Sequence, residues 1–182
     1  ISRCRRSPFF GQVDCEGQVT GSNFRIRFSM KKEVLKAWDE NADEWIKILK
    51  SNEIESRKFT NKAIIHLLKV LSVSKILDCG CGEGWLTRKM TDIGKESVGV
   101  DATFKLIENA KNRSSNSFYQ LSYEEIITGK SIPENPFDAV VYNFSLYQES
   151  GLEELLKNTK KAISKNGFII IQTLHPFFLK EN

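Results

Sequence analysis

From Met30 onward, apolar positions recur at helical spacing. Val34, Leu35, Trp38, Ala42, Trp45, Ile46 and Leu49 fall on one side of a first predicted helix, and Ala63, Ile64, Leu67, Leu68 and Leu71 on a second. The period then changes. Short apolar runs at 75–79, 97–101, 117–120, 137–143 and 167–173 read as strands, and segments 85–91, 104–111, 123–127 and 152–163 between them read as helices. Strands alternating with helices predict an α/β fold, with a mainly parallel sheet, helices on both faces and right-handed crossovers. The runs Ala139-Val140-Val141 and Phe168-Ile169-Ile170-Ile171 have the composition of strands buried on both faces. Neither an internal repeat nor a low-complexity tract interrupts the pattern.

Residues 1–29 lie outside this pattern. They hold five arginines (Arg3, Arg5, Arg6, Arg25, Arg27) and no lysine, whereas the rest of the chain has only Arg57, Arg88 and Arg113 beside many lysines. They therefore read as a leader, non-native or disordered, before a domain at 30–182 that starts at Met30. A transit peptide fits less well because of Asp14 and Glu16, and a functional basic arm is the remaining reading. The leader carries +3 of the net charge of +4, so the domain is nearly neutral. A broad phosphate-binding face is disfavoured, since nucleic-acid affinity rests on clustered Lys and Arg. No apolar run approaches the roughly 20 residues of a membrane span, and no secretory signal is visible, so the reading points to the cytoplasm. Cys4, Cys15, Cys79 and Cys81 suit neither a disulfide framework nor a zinc knuckle and are expected as thiols.

The chemistry concentrates in the first strand-to-helix turn, Asp78-Cys79-Gly80-Cys81-Gly82-Glu83-Gly84. In an open α/β sheet, ligands bind beyond the carboxyl ends of the strands, and glycines there let a flat cofactor lie against the main chain near a helix N-terminus. A second acid, Asp101, closes the next strand, where a carboxylate can accept both hydrogen bonds of a ribose diol. Asp101 could instead cap the following helix, or do both.

This turn resembles the E/D-x-G-x-G-x-G signature of class I S-adenosylmethionine-dependent methyltransferases, in particular the small-molecule, quinone-biosynthesis-like type, and the resemblance runs from about Met30 to the end. It implies a Rossmann-like fold whose cofactor is S-adenosyl-L-methionine. The turn, from Asp78 through Cys79, Gly80, Cys81 and Gly82 to Gly84, would wrap the methionine end of the cofactor. Asp101 would bind the ribose, Ala102 and Thr103 would lie beside the adenosine, and Asn143 and Phe144 near the methionyl part. Arg57 would pair with the cofactor carboxylate; its alternative is a solvated helix charge. Relatives carry an acid after the third strand for the adenine amino group; here Gln120-Leu121-Ser122 stands, leaving Ser122 or nearby backbone as the substitute. The family's sixth and seventh strands have no counterpart before Asn182, so the domain reads as C-terminally truncated.

The resemblance implies methyl transfer to a small-molecule acceptor, and an activated methyl demands alignment rather than a universal catalytic residue. His175, just past the fifth strand, is the candidate general base, with a structural loop histidine as the alternative. Tyr142, Tyr147, Gln148 and His175 are candidates for the acceptor pocket. Trp38 and Trp45 fit a core position better than a cofactor lid, and for Trp85 packing and cofactor contact stay equally open. Nucleic-acid amino methyltransferases of this fold resemble one another in an Asn/Asp-Pro-Pro-Tyr/Phe motif, but Asn143-Phe144-Ser145-Leu146 lacks the prolines. No metal is expected, for no carboxylate cluster accompanies the turn. A nicotinamide-dependent oxidoreductase would need a glycine where Trp85 stands. A non-catalytic cofactor-binding module keeps every feature above and is the principal alternative. Oligomeric state is not legible.

Overall fold

The computed structural model describes residues 41, 42, 46, 57–148 and 150–173. The leader, Trp38, Trp45 and His175 lie outside the described residues. The elements are α1 (Arg57–Val70), β1 (Lys75–Cys79), α2 (Trp85–Asp92), β2 (Glu96–Asp101), α3 (Phe104–Arg113), β3 (Ser117–Gln120), α4 (Tyr123–Ile127), β4 (Phe137–Asn143), α5 (Leu152–Lys160) and β5 (Ile163–Gln172). The five strands form one parallel sheet in the order β3-β2-β1-β4-β5. This is the α/β, parallel arrangement that the alternating pattern predicts, in the Rossmann-like form that the resemblance implies. The order of the strands reverses between β1 and β4, and ligands of open α/β sheets bind at such a switch point.

Strand alternation divides the core in two. Leu77, Cys79, Val98, Val100, Val140 and Tyr142 face α4 and α5, while Ile76, Ala139 and Val141 face α1 and α2. On α1 the buried stripe is Ile64 and Leu68, whereas Leu67 is exposed, so the helix presents a narrower face than its apolar spacing predicts. Ala42 and Ile46 pack against Leu106 of α3, consistent with their place on the predicted apolar face of the first helix.

Two expectations are corrected at the sheet edge. Helix α5 ends at Lys160, and β5 begins at Ile163, four residues ahead of the predicted strand. The cause is an irregularity: Ile163 pairs with Phe137, but Phe168 pairs with Ala139, so 164–167 bulge out of register. Gly167 permits it, since a Cβ there would meet the Asp138 carbonyl oxygen at 2.6 Å. Nor is β5 buried on both faces. Phe168, Ile169 and Ile171 are exposed, because among the described residues β5 has a neighbouring strand only on its β4 side.

Candidate functional site

The glycine turn leaves β1 and is tied at once to β2. The amides of Gly80 and Cys81 both donate to the Val100 carbonyl, at 2.8 and 2.9 Å, and the Gly82 amide donates to Asp101 Oδ2 at 2.9 Å. Asp101 Oδ1 accepts from the Thr103 amide at 2.8 Å. The two acids thus stand at the same end of neighbouring strands, on one face of the sheet. Both Asp101 oxygens are thus held by the backbone, and the Thr103 hydroxyl and the Ala102 amide also donate toward the carboxylate. Burial raises the Asp101 pKa, and the amide hydrogen bonds from Thr103 and Gly82 oppose that shift. The N-cap of α3 is Thr103 rather than Asp101, and no side chain caps the helix.

The three glycines of the turn are glycine for different reasons. All have positive φ: 79° at Gly80, 56° at Gly82 and 77° at Gly84. A Cβ on Gly80 would strike Ser145 Cβ and the Tyr123 hydroxyl at 2.5 Å, and one on Gly84 would strike the Phe118 ring at 2.6 Å. Protein packing demands those two. At Gly82 nothing among the described residues lies within 4 Å of the Cβ direction, so that glycine opens onto free space beside Asp101.

Asp78 faces inward. It is 1% exposed, accepts from Thr87 Oγ1 at 2.8 Å, and has its pKa pushed up to about 7, first by burial and then by Asp101 and Glu83 against the Thr87 hydrogen bond. Cys79, expected against the cofactor, turns its side chain into the core; only its carbonyl reaches the turn, accepting from Ser145 Oγ at 2.8 Å and from the Tyr123 hydroxyl at 3.2 Å. Alternation along β1 decides this, since Asp78 and Cys79 must point to opposite faces. Cys81 is half-buried beside Phe118, its thiol pKa well above the ordinary value through burial.

Tyr142, expected in the acceptor pocket, is a core residue. It is fully buried, with its hydroxyl 2.7 Å from Thr159 Oγ1 of α5. Ser122 accepts from the Glu125 amide at 3.2 Å while Glu125 Oε2 accepts from the Ser122 amide at 2.8 Å, a capping box that starts α4. Ala102 follows Asp101, and its carbonyl accepts from Gln120 Nε2 at 3.0 Å. Trp85 packs against the core beneath α1 and α2.

The loop after β4 packs against the turn at Ser145. Asn143 ends β4 with a buried Oδ1 that has no hydrogen-bond partner, and Phe144 adopts a left-handed φ of 52° that a non-glycine residue rarely takes. The Ser145 carbonyl accepts from Tyr123 at 3.2 Å, so Tyr123 and Ser145 together fix this loop to β1. Gln148 Nε2 is also buried and unpaired, and Tyr147 is half exposed. Arg57, in the first turn of α1, is half-buried: desolvation lowers its pKa, and the nearness of Tyr147 and Glu83 counters that.

Sequence reasoning assigned no role to Glu83. Its carboxylate is almost fully buried, pairs with Arg88 of α2 at 2.6 Å and with Arg113 at the end of α3, and so locks the turn to both helices. A lone Glu between glycines carries no signal of this, because its partners meet it only in the fold. Gln172, at the end of β5, was likewise passed over; its Nε2 donates to the Thr60 carbonyl of α1 at 3.1 Å.

The family described as "Methyltransferase domain" matches residues 77–171, from within β1 to near the end of β5. The chain belongs to the methyltransferase domain family. Its relatives include the ubiquinone biosynthesis O-methyltransferase of Pelagibacter ubique, 28% identical over 130 residues that make up 71% of this chain and 52% of that protein. The malonyl-[acyl-carrier protein] O-methyltransferase of Legionella pneumophila is 25% identical over 84% of this chain and 54% of its own length. Among solved structures, a TehB-like SAM-dependent methyltransferase from Corynebacterium glutamicum superposes with a TM-score of 0.58 at 23% identity, covering 80% of each chain. The chain spans about half the length of the curated relatives it matches. No helix among the described residues of this methyltransferase domain is long and apolar enough to cross a membrane.

Proposed function

We propose that this methyltransferase domain binds S-adenosyl-L-methionine in the gap between the glycine turn, Asp101 and the loop after β4, and transfers its methyl group to a small-molecule acceptor. The observation that carries this reading is the free space beyond Gly82: a left-handed glycine with no neighbour among the described residues to exclude a side chain sits one hydrogen bond from the Asp101 carboxylate at the end of the next strand. Asp101 would hold the ribose hydroxyls, with Ala102 beside the adenosine. Ser122 contributes to the adenine only through atoms its capping box leaves over. Gly80, Gly82 and Gly84 would shape the wall along the methionine end, Asn143 and Phe144 would face that end, and Arg57 would meet the carboxylate. Asp78 acts from beneath, by charge rather than contact. Relatives named for O-methylation, and a fold shared with an enzyme named as SAM-dependent, support both cofactor and reaction.

The cofactor supplies a methyl already activated on a sulfonium. What remains for the chain is to align the acceptor and exclude water. Tyr147 and Gln148, on the β4 loop, and His175 are the side chains proposed to meet the acceptor. Calorimetric titration of the protein with S-adenosylmethionine, S-adenosylhomocysteine and NAD tests the assignment: the first two should bind and NAD should not. Asp101→Ala should weaken both by roughly 1–3 kcal/mol through lost diol contacts; unchanged affinity would refute the ribose role. Methyl transfer from labelled cofactor to an acceptor separates the enzyme from a non-catalytic binding module.

A further inference from the structure

Buried polar atoms without partners are rare and call for an explanation. Two of them, Asn143 Oδ1 and Gln172 Oε1, belong to residues paired in register on adjacent parallel strands, β4 and β5. Both lie on the sheet face that α1 covers, continuing the lines of Val141 and Ile170 toward the ligand end. Neighbouring strands lie about 4.8 Å apart, and two acceptors at that separation, each about 2.9 Å from a shared nitrogen, subtend roughly the tetrahedral angle of an ammonium. The amide of Gln172 cannot flip to offer a donor instead, because its Nε2 is engaged by the Thr60 carbonyl. The Gln172 orphan is therefore an acceptor, and with Asn143 Oδ1 paired in register beside it the two suit a ligand rich in N–H donors.

We infer that Gln172 and Asn143 together receive the α-ammonium of the cofactor's amino-acid end, and that Gln172, through its other amide atom, couples that occupancy to α1. The inference rests on the cofactor reading above and adds to it a residue on β5 and a link to a helix. Two further features agree. Asp78 lies on the same face of the sheet, its carboxyl pushed up to about 7 first by burial and then by the neighbouring acid charge. Arg57 lies one helical turn before Thr60, so α1 brings a guanidinium for a carboxylate beside the carbonyl that holds the ammonium acceptor. A zwitterion would thus bridge α1 to the ends of β4 and β5.

The test uses the full chain and two probes, S-adenosylhomocysteine and its analogue with hydrogen in place of the α-amino group. By calorimetry, the unmodified protein should bind the analogue at least about tenfold more weakly, the loss expected of charge-assisted hydrogen bonds. Gln172→Leu and Asn143→Ala should each weaken S-adenosylhomocysteine about tenfold while leaving the analogue within about twofold. Hydrogen exchange over residues 57–70 should slow when S-adenosylhomocysteine binds, and this slowing should be lost in Gln172→Leu even at saturating ligand. Equal binding of the two probes by the unmodified protein overturns the ammonium assignment, and so do variants that weaken both probes alike. Undiminished protection of α1 in Gln172→Leu overturns the coupling. Failure of S-adenosylhomocysteine to bind the unmodified protein is a different result, which overturns the cofactor reading itself.

Discussion

Gly80, Gly82 and Gly84 look alike in the signature but fail differently when substituted. Gly80→Ala forces a methyl into Ser145 and Tyr123, so it should destabilise the fold by about 1–3 kcal/mol, the usual range for overpacking. Gly82→Ala meets no atom and pays only for its left-handed backbone, about 1–2 kcal/mol, yet it puts a methyl into the proposed cofactor gap. Denaturant midpoints and S-adenosylhomocysteine titrations on both variants separate the effects; Gly82→Ala binding with native affinity would remove the cofactor from that gap. Asp78 makes a second residue-level prediction. Its folded pKa of about 7 lies above its unfolded value, so the folded state holds the extra proton between about pH 4 and 7. Stability supplied by this group is therefore greatest below pH 4, falls as pH rises to 7, and stays flat beyond. Asp78→Asn should be more stable than the parent at pH 8, by at most about 4 kcal/mol, and lose that advantage near pH 4. Stability curves that run parallel across this range would show that Asp78 ionises freely.

At the scale of elements, the strands were legible because burial makes them continuous apolar runs: Ala139, Val140 and Val141 are all fully buried, and β1, β3 and β4 have the bounds their sequences predict. The start of β5 was not, since Ser164-Lys165-Asn166 has neither alternation nor apolar character and pairs only through a bulge that Gly167 permits. The candidate site divides in the same way. The glycines and Asp101 announce themselves by spacing along the chain, whereas Glu83 with Arg88 and Arg113, or Gln172 with Thr60, become visible only when distant segments meet. Tyr142 misled for a related reason: a tyrosine one residue before a ligand-end loop reads as a pocket residue until strand alternation turns it toward α5. Glu83 carries the prediction at this scale. Glu83→Ala would leave Arg88 half-buried without its carboxylate and uncouple the turn from α2 and α3. The expected cost is roughly 2–3 kcal/mol, below the roughly 3–5 of a fully enclosed pair because the Arg113 side chain is 37% exposed. Thermal denaturation checks it; a change under about 0.5 kcal/mol would mean that the cluster is well solvated.

For the whole molecule, the candidate site is a junction of elements rather than the property of one. The turn hangs from β1 and β2, the loop bonded to it follows β4, and α1 reaches the end of β5 through Gln172. A ligand at this junction would contact several of these segments at once, and its binding energy should appear as global stability. At free ligand one hundred times the dissociation constant, mass action adds about 2.7 kcal/mol. For a chain of 182 residues, each kcal/mol raises the melting temperature by roughly 2–4 °C, so S-adenosylhomocysteine should raise it by roughly 5–10 °C. NAD at the same concentration should leave the melting temperature where it was, because an acid at the head of the turn sits badly beside a pyrophosphate. The shift should shrink in Asp101→Ala in proportion to its lost affinity and reappear when ligand is raised to the same multiple of the new dissociation constant. A shift that NAD reproduces would mean that the junction reads only the adenosine that both ligands share, and the acid-led turn would then have no part in choosing the cofactor.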